Sequence, residues 1–231
     1  MLLIGSGWDI DRVLRVVAHR VNGVRNAPEA SGPTPSVAPE FRDFRRVASL
    51  MRDLERRREL DIAYRRHGSS TSLVLRFSPA DHGDLAQTEL KRLLGVNLDL
   101  SECAVVESPA SPDRDEVVLL TRSLLGAMFY LSQSVETPRA DREHGLVPIT
   151  RDDAGEVFDR VDLTGDLLRI RSDSHRPERA FVAVPYRGSW FYLADDDLSS
   201  KSTFGLLAQL FNLQAGDVDA TAPVLTLPVG N

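Results

Sequence analysis

The stretch from Ala180 onward constrains the fold more than any other part of the chain. Ala180 to Val184 and Ser189 to Leu193 are apolar and aromatic runs on either side of Pro185-Tyr-Arg-Gly188, which predicts a β-hairpin. Three acids, Asp195-Asp-Asp197, then precede an amphipathic helix that runs to Gly216, with Ser199 or Ser200 as its expected cap. Pro223-Val-Leu-Thr-Leu-Pro228 reads as a closing strand. Such a terminus specifies packing and specifies no reaction.

The rest of the chain is consistent with a globular protein. Its 231 residues suffice for one large domain or two small ones, with 42% hydrophobic and 27% charged residues. A chain of this length buries enough surface to need no disulfide or metal staple. Cys103 is the only cysteine, so neither an intramolecular disulfide nor a multi-cysteine zinc site can form. The net charge of -6 is uneven: residues 1–78 carry 14 basic against 9 acidic side chains, and the remainder is strongly acidic. No secretory signal and no transmembrane helix is visible. Met1-Leu-Leu-Ile4 is cut off by Gly5-Ser-Gly7, and the most apolar segment, Val117 to Leu131, is too short and contains Arg122.

The apolar spacing predicts a helix over Asp9 to Val21, capped by Asp9 and ended by Asn22-Gly23. Ala27 to Pro39 reads as a proline-rich linker, and Glu40 to Leu60 as a second helix. The period then changes to two. Leu60, Ile62 and Tyr64 predict a strand that turns at His67-Gly-Ser-Ser70 and returns through Leu73 to Phe77. Ser78-Pro79 is expected to open a helix that closes at Leu94-Gly95. Cys103 to Glu107 reads as a short strand and Ser108 to Pro112 as a loop. Arg114 to Val135 is the expected longest helix, apolar on nearly every side and therefore central. Leu146 to Thr150, Val157 to Val161 and Leu167 to Arg171 are candidate strands. The expected fold is α+β: a mostly antiparallel sheet packed against helices, in one domain over 1–231. In it, residues 1–26 form a helical N-terminal arm, 27–39 the linker and 40–231 the main body.

Familiar catalytic motifs are missing or incomplete. Gly5-Ser-Gly7 lacks the third glycine of a dinucleotide fingerprint, since Ile10 stands there. Ser200-Lys-Ser-Thr203 lacks the glycines of a phosphate loop and follows three acids. Counted from Asp195 as an EF-hand, position six is Ser200 and position twelve Leu206, which excludes that calcium loop. The five histidines, His19, His67, His82, His144 and His175, show no helical zinc spacing. Cys103 sits among Ala104, Val105 and Val106, the setting of an inert thiol. On the arginine-rich helix, residues 40–61 hold 7 Arg against 6 acids, an ion-paired surface and no nucleic-acid stripe. No cofactor, no metal and no nucleic-acid partner is expected, and no catalytic residue is assigned.

The aromatic residues of the hairpin are the candidate binding site. Along a strand, Trp190 and Tyr192 point one way and Phe191 the other, toward Phe204, Leu207 and Phe211 of the following helix. Tyr186, Trp190 and Tyr192 then form an aromatic patch for a partner or a sugar, or else a second packed layer. A protein partner is the expectation, with a non-enzymatic envelope or scaffold role. The alternative is a hydrolase or carbohydrate-processing enzyme whose Asp195, Asp197, Glu143 and His144 converge only in the fold.

Two stretches, Ser6-Gly-Trp-Asp-Ile-Asp-Arg-Val-Leu14 with Val21-Asn-Gly-Val-Arg-Asn26, and Tyr186-Arg-Gly-Ser-Trp-Phe-Tyr192 through Ser200-Lys-Ser-Thr-Phe204 to Pro223–Pro228, carry a resemblance. Together they resemble an uncharacterised group of bacterial proteins, many of them predicted exported lipoproteins. The resemblance spans nearly the whole chain and includes no catalytic motif, so it transfers no functional residue. It implies a periplasmic, cell-envelope location with membrane attachment only through a lipid anchor on an upstream segment, and a cytoplasmic one if the chain is complete.

Overall fold

A computed structural model describes residues 7–27, 41–67, 70–78, 84–107, 115–152, 154–164 and 166–216. The expected linker, the opening of the helix at Pro79, His82, the 108–112 loop and the closing strand at 223–228 lie outside the described residues, the linker but for Ala27. The described chain is α+β, with a mostly antiparallel sheet packed against helices.

Asp9 caps the first helix, α1 (Ile10–Val17), accepting from the backbone N–H of Asp11 at 3.0 Å and of Arg12 at 3.4 Å. The helix does not reach Val21. At Ala18 the backbone becomes extended, and β1 (Ala18–Val21) turns at Asn22-Gly23 into β2 (Val24–Arg25). Two side chains end α1 by taking its last carbonyls. Asn26 donates from Nδ2 to Arg15 O and Ala18 O, both at 2.9 Å, and Arg122 donates to Arg15 O at 2.9 Å. The stretch expected to form an arm is thus a helix followed by strands that join the sheet.

The second helix, α2 (Arg42–Arg56), buries Phe44, Val47, Ala48, Leu50, Met51 and Leu54. Its final turn closes through Glu59 N–H to Leu54 O at 2.9 Å, with Arg58 in the left-handed region at φ 60°. The expected hairpin follows as β3 (Leu60–His67) and β4 (Ser70–Phe77). The next helix, α3 (Leu85–Leu94), is capped by Asp84 and ends in the same closed turn, this time with Gly95 at φ 70°. Ser78 does not cap it: its N–H and hydroxyl bond Glu59 O and Arg58 O across the hairpin base.

The expected central helix at 114–135 divides in two. After β5 (Glu102–Val106), Val117 to Thr121 belong to β6 (Glu116–Thr121), and only α4 (Leu124–Ser132) is helical. The apolar run is continuous because β6 lies inside the sheet, parallel to β5 and antiparallel to β1, and its two faces meet protein. Ser123 starts α4 by accepting Gly126 N–H at 3.0 Å. The sheet order is β2-β1-β6-β5-β4-β3.

After α4 come two short helices, α5 (Arg139–Glu143) and α6 (Val161–Thr164), the second of which takes Val161 from the end of an expected strand. The three strands expected over 146–171 reduce to isolated bridges, Val135 with Ile170 and Arg151 with Val157, and to the start of β7 (Arg171–Asp173). The terminal ribbon, β8 (Ala180–Tyr186) and β9 (Ser189–Ala194), forms as expected and pairs with β7 in a second sheet, ordered β7-β9-β8. The last helix is α7 (Leu198–Gly216).

Two apolar cores result. One lies between the six-stranded sheet and α2, α3 and the Ile10, Leu14 side of α1. The other joins Val13 and Val16 of α1 to Ala127, Tyr130 and Leu131 of α4, with Leu193 and Leu206. The short first helix is therefore packed on both sides, which explains why most of its residues are buried, charged ones included.

Candidate functional site

The hairpin turn decides how the aromatic residues are arranged. Arg187 and Gly188 both have positive φ, 50° and 79°, so the loop is two residues long and Tyr186 stands opposite Ser189. Directly opposed residues share a face. Tyr186 therefore lies with Ser189, Val184, Phe191, Val182 and Leu193, and its ring meets Phe191 at 6.4 Å between centroids. Trp190 and Tyr192 lie on the other face, beside Pro185 and Ala183 on β8 and Asp173 and Arg171 on β7. The structure does not bring Tyr186, Trp190 and Tyr192 into one patch.

The two faces differ in chemistry. The Trp190 face is polar at its margin: the Arg176 guanidinium stands 5.5 Å above the indole, and Tyr192 lines an open cleft of about 400 Å³ with Arg171, Arg179, Glu178 and Asp196. The Tyr186 face is apolar. Leu193 at its root is in the core, while Val182, Val184 and Tyr186 are 39%, 55% and 63% exposed. Phe181, at the bulge between Ala180 and Val182, turns toward α7 and meets Phe204 edge-on at 6.0 Å. Phe191 does not enter the core as expected. Leu193 takes that role with Leu206, and Phe211 remains exposed.

The residues of the enzyme alternative are far apart in role. Asp195 is paired with Lys201 Nζ at 2.5 Å, and this bond holds its carboxyl below the ordinary range. Asp197, and neither Ser199 nor Ser200, caps α7, accepting the Ser200 N–H at 3.0 Å and hydroxyl at 2.7 Å. Burial opposes its charge, and the Ser200 bonds outweigh burial, so its pKa is lowered. Glu143 binds Arg139 at 2.6 Å, and His144 Nδ1 rests on Ala140 O at 2.7 Å. Each group is spent on its own helix or turn. Among the described residues no cluster of three or more His, Cys, Asp or Glu side chains could hold a metal ion. Cys103 is fully buried, and burial pushes its thiol pKa up.

The motif-like serines and threonine also serve the fold. Arg12 of α1 donates to Ser199 O at 2.8 Å, to Ser199 Oγ at 3.1 Å and to Thr203 Oγ1. The Ser199 and Thr203 hydroxyls in turn donate to Asp166 O and Leu167 O, and Ser200 Oγ accepts the Arg169 N–H. Trp8 Nε1 donates to Gln209 at 2.9 Å. Ser199 and Thr203 therefore clamp α7 to α1, and Ser200 ties it to Arg169.

Comparison with known proteins yields no relative: no protein-family model matches the chain, and neither a curated protein nor a solved structure matches it at a significant level. Among the described residues no helix is long and apolar enough to cross a membrane.

Proposed function

We propose that the protein is non-enzymatic and binds another protein through the Tyr186 face of its terminal ribbon, as an interaction or scaffold protein of the cell envelope. The observation that carries this reading is the row Val182, Val184, Tyr186, apolar and exposed on an edge strand, running outward from buried Leu193 and flanked by Phe191. Exposed apolar rows that continue a core are the surfaces proteins use for one another. The open edge of β8 is less suited: the bulge after Ala180 and the missing N–H of Pro185 both interrupt a ladder. A partner therefore docks by its own apolar surface onto the face. The envelope setting rests on the resemblance of the two stretches to an uncharacterised bacterial group, many of whose members are predicted exported lipoproteins.

The test is site-specific photocrosslinking in the native cell, with the crosslinker at Val184 or Tyr186 and, as control, at exposed Leu85. The reading expects one discrete protein adduct from positions 184 and 186, absent from 85 and lost on Val182→Asp. A form ending at Gly216 must give the same adduct. Adducts that are equal at all three positions, or that vanish in the shortened form, refute it.

A further inference from the structure

A second cleft, of about 430 Å³, lies between the α4–α5 connection and residues 147–150 and 157–160. The sequence pattern predicts strands over Leu146 to Thr150 and Val157 to Val161 and marks no site there. One wall is apolar: Val135, Val147, Pro148, Ile149, Val157 and Phe158. Ile149 and Val157 are more than half exposed, so the wall is open to a ligand. Four arginines, Arg139, Arg142, Arg160 and Arg169, face only two carboxylates, Glu136 and Asp159, across the same cleft. With Glu143, which pairs with Arg139 from beside the cleft, this leaves an excess of one positive charge among the described residues, in a protein whose overall charge is -6.

The cations are not equivalent. Arg169 is neutralised by Glu136 at 2.7 Å and Arg139 by Glu143 at 2.6 Å. Half-buried Arg160 donates only to neutral oxygens, Gln133 Oε1 at 3.2 Å and Thr150 Oγ1 at 2.6 Å. Neither Arg160 nor Arg142 has a carboxylate partner among the described residues. A guanidinium has five N–H groups, and these two bonds hold the Arg160 fork in place while leaving three donors unused. Burial lowers the Arg160 pKa with no carboxylate to oppose it. A half-buried arginine held by neutral groups beside an apolar wall is how a site is prepared for an incoming anion.

We propose that this cleft binds a small organic acid, a carboxylate on an apolar body, with Arg160 gripping the carboxylate, Arg142 adding charge at the rim and the Ile149 and Val157 wall taking the apolar part. The probe is octanoate, titrated by calorimetry, with two-dimensional NMR to locate it. Octylamine and inorganic phosphate are the controls. The proposal expects octanoate to shift Thr150 and Phe158 resonances and leave Val184 unmoved, octylamine not to bind, and phosphate to bind at least tenfold more weakly. Arg160→Gln should weaken octanoate at least tenfold and Arg160→Lys less. Arg142→Gln, at an exposed position that folding does not use, should weaken it about threefold. Absence of octanoate binding, unchanged affinity in both Gln variants, or phosphate binding as tight as octanoate would each overturn it. Shifts confined to the ribbon would do so as well.

Discussion

Replacing Asp166 by alanine tests the central electrostatic feature of the fold. Arg15 is 3% exposed, and its two terminal nitrogens reach the Asp166 carboxylate at 2.5 and 2.7 Å. Despite burial, the Asp166 bond raises the Arg15 pKa above its ordinary value. Burial works against the Asp166 charge too, and the Arg15 bonds, with Arg45 at 3.8 Å, overcome it and lower the Asp166 pKa. Removing one partner of a buried pair costs about 3–5 kcal/mol, because the other charge is left uncompensated. Here Asp11 remains 3.6 Å from Arg15, and the Asp166 side chain is 49% exposed, so water relieves part of the loss. The expected cost is about 2–3 kcal/mol, read as a lower urea midpoint in circular dichroism at pH 7. A carboxylate whose folded pKa is depressed stabilises fully above its unfolded pKa of about 3.9, and the contribution is lost as pH falls through the folded value. Wild type and Asp166→Ala should therefore differ at pH 7 and converge in strong acid. The double variant Arg15→Met, Asp166→Leu removes both charges and should be more stable than Asp166→Ala alone. A cost below about 0.5 kcal/mol at pH 7, or one that persists unchanged in acid, would refute the assignment of Arg15 and Asp166 as a mutually dependent pair.

Two further outcomes follow from single residues. Arg58 and Gly95 occupy the same left-handed position after α2 and α3, and the arginine bears a strain the glycine does not. Arg58→Gly should raise the melting temperature, stabilising by up to about 1 kcal/mol, whereas Gly95→Ala should cost about as much. Cys103, fully buried with its thiol pKa raised by burial, should react with a thiol reagent in native buffer only as fast as the protein unfolds. A rapid stoichiometric reaction would contradict that burial.

Much of the architecture was legible because period and punctuation agreed. The Leu60–Phe77 hairpin, the Gly95 stop, the Asp9 cap and the terminal ribbon all carry local signals that tertiary context did not override. The helix expected over 114–135 divides into β6 and α4 for a physical reason. A strand buried on both faces and the helix after it are both apolar, and only Arg122-Ser123 marks the joint. The end of α1 at Val17 was not legible, since Asn26 and Arg122, which take its carbonyls, are distant in sequence. The aromatic patch failed differently. Alternation along β9 separates Phe191 from Trp190 and Tyr192, but the face of Tyr186 depends on the register across the turn at Arg187-Gly188. That turn alone puts Tyr186 on the Phe191 side. The arginine cleft had no local signal, because its charges come from three separate stretches and the pairing of Arg160 with neutral oxygens alone is set by the fold.

The distribution of hydrogen bonds argues where function resides. The features that looked most like chemistry in the sequence are consumed by the fold. Ser199, Ser200 and Thr203 clamp α7, Asp197 caps it, and Arg12, Arg15 and Arg122 answer backbone carbonyls and Asp166 between the two cores. A buried polar group costs stability unless it is paired, so these groups are committed to structure and are not free to act on a substrate. What the fold does not need stands out against that economy. Tyr186 and Val184 expose apolar surface that a closed body would bury, and Arg160 keeps charge that no carboxylate answers. Both lie away from the first core, on the half of the chain built around α1's second side and the terminal ribbon. The six-stranded sheet with α2 and α3 is then the foundation. The smaller sheet and the cleft lined by Arg142 and Arg160 are the surfaces proposed to meet other molecules.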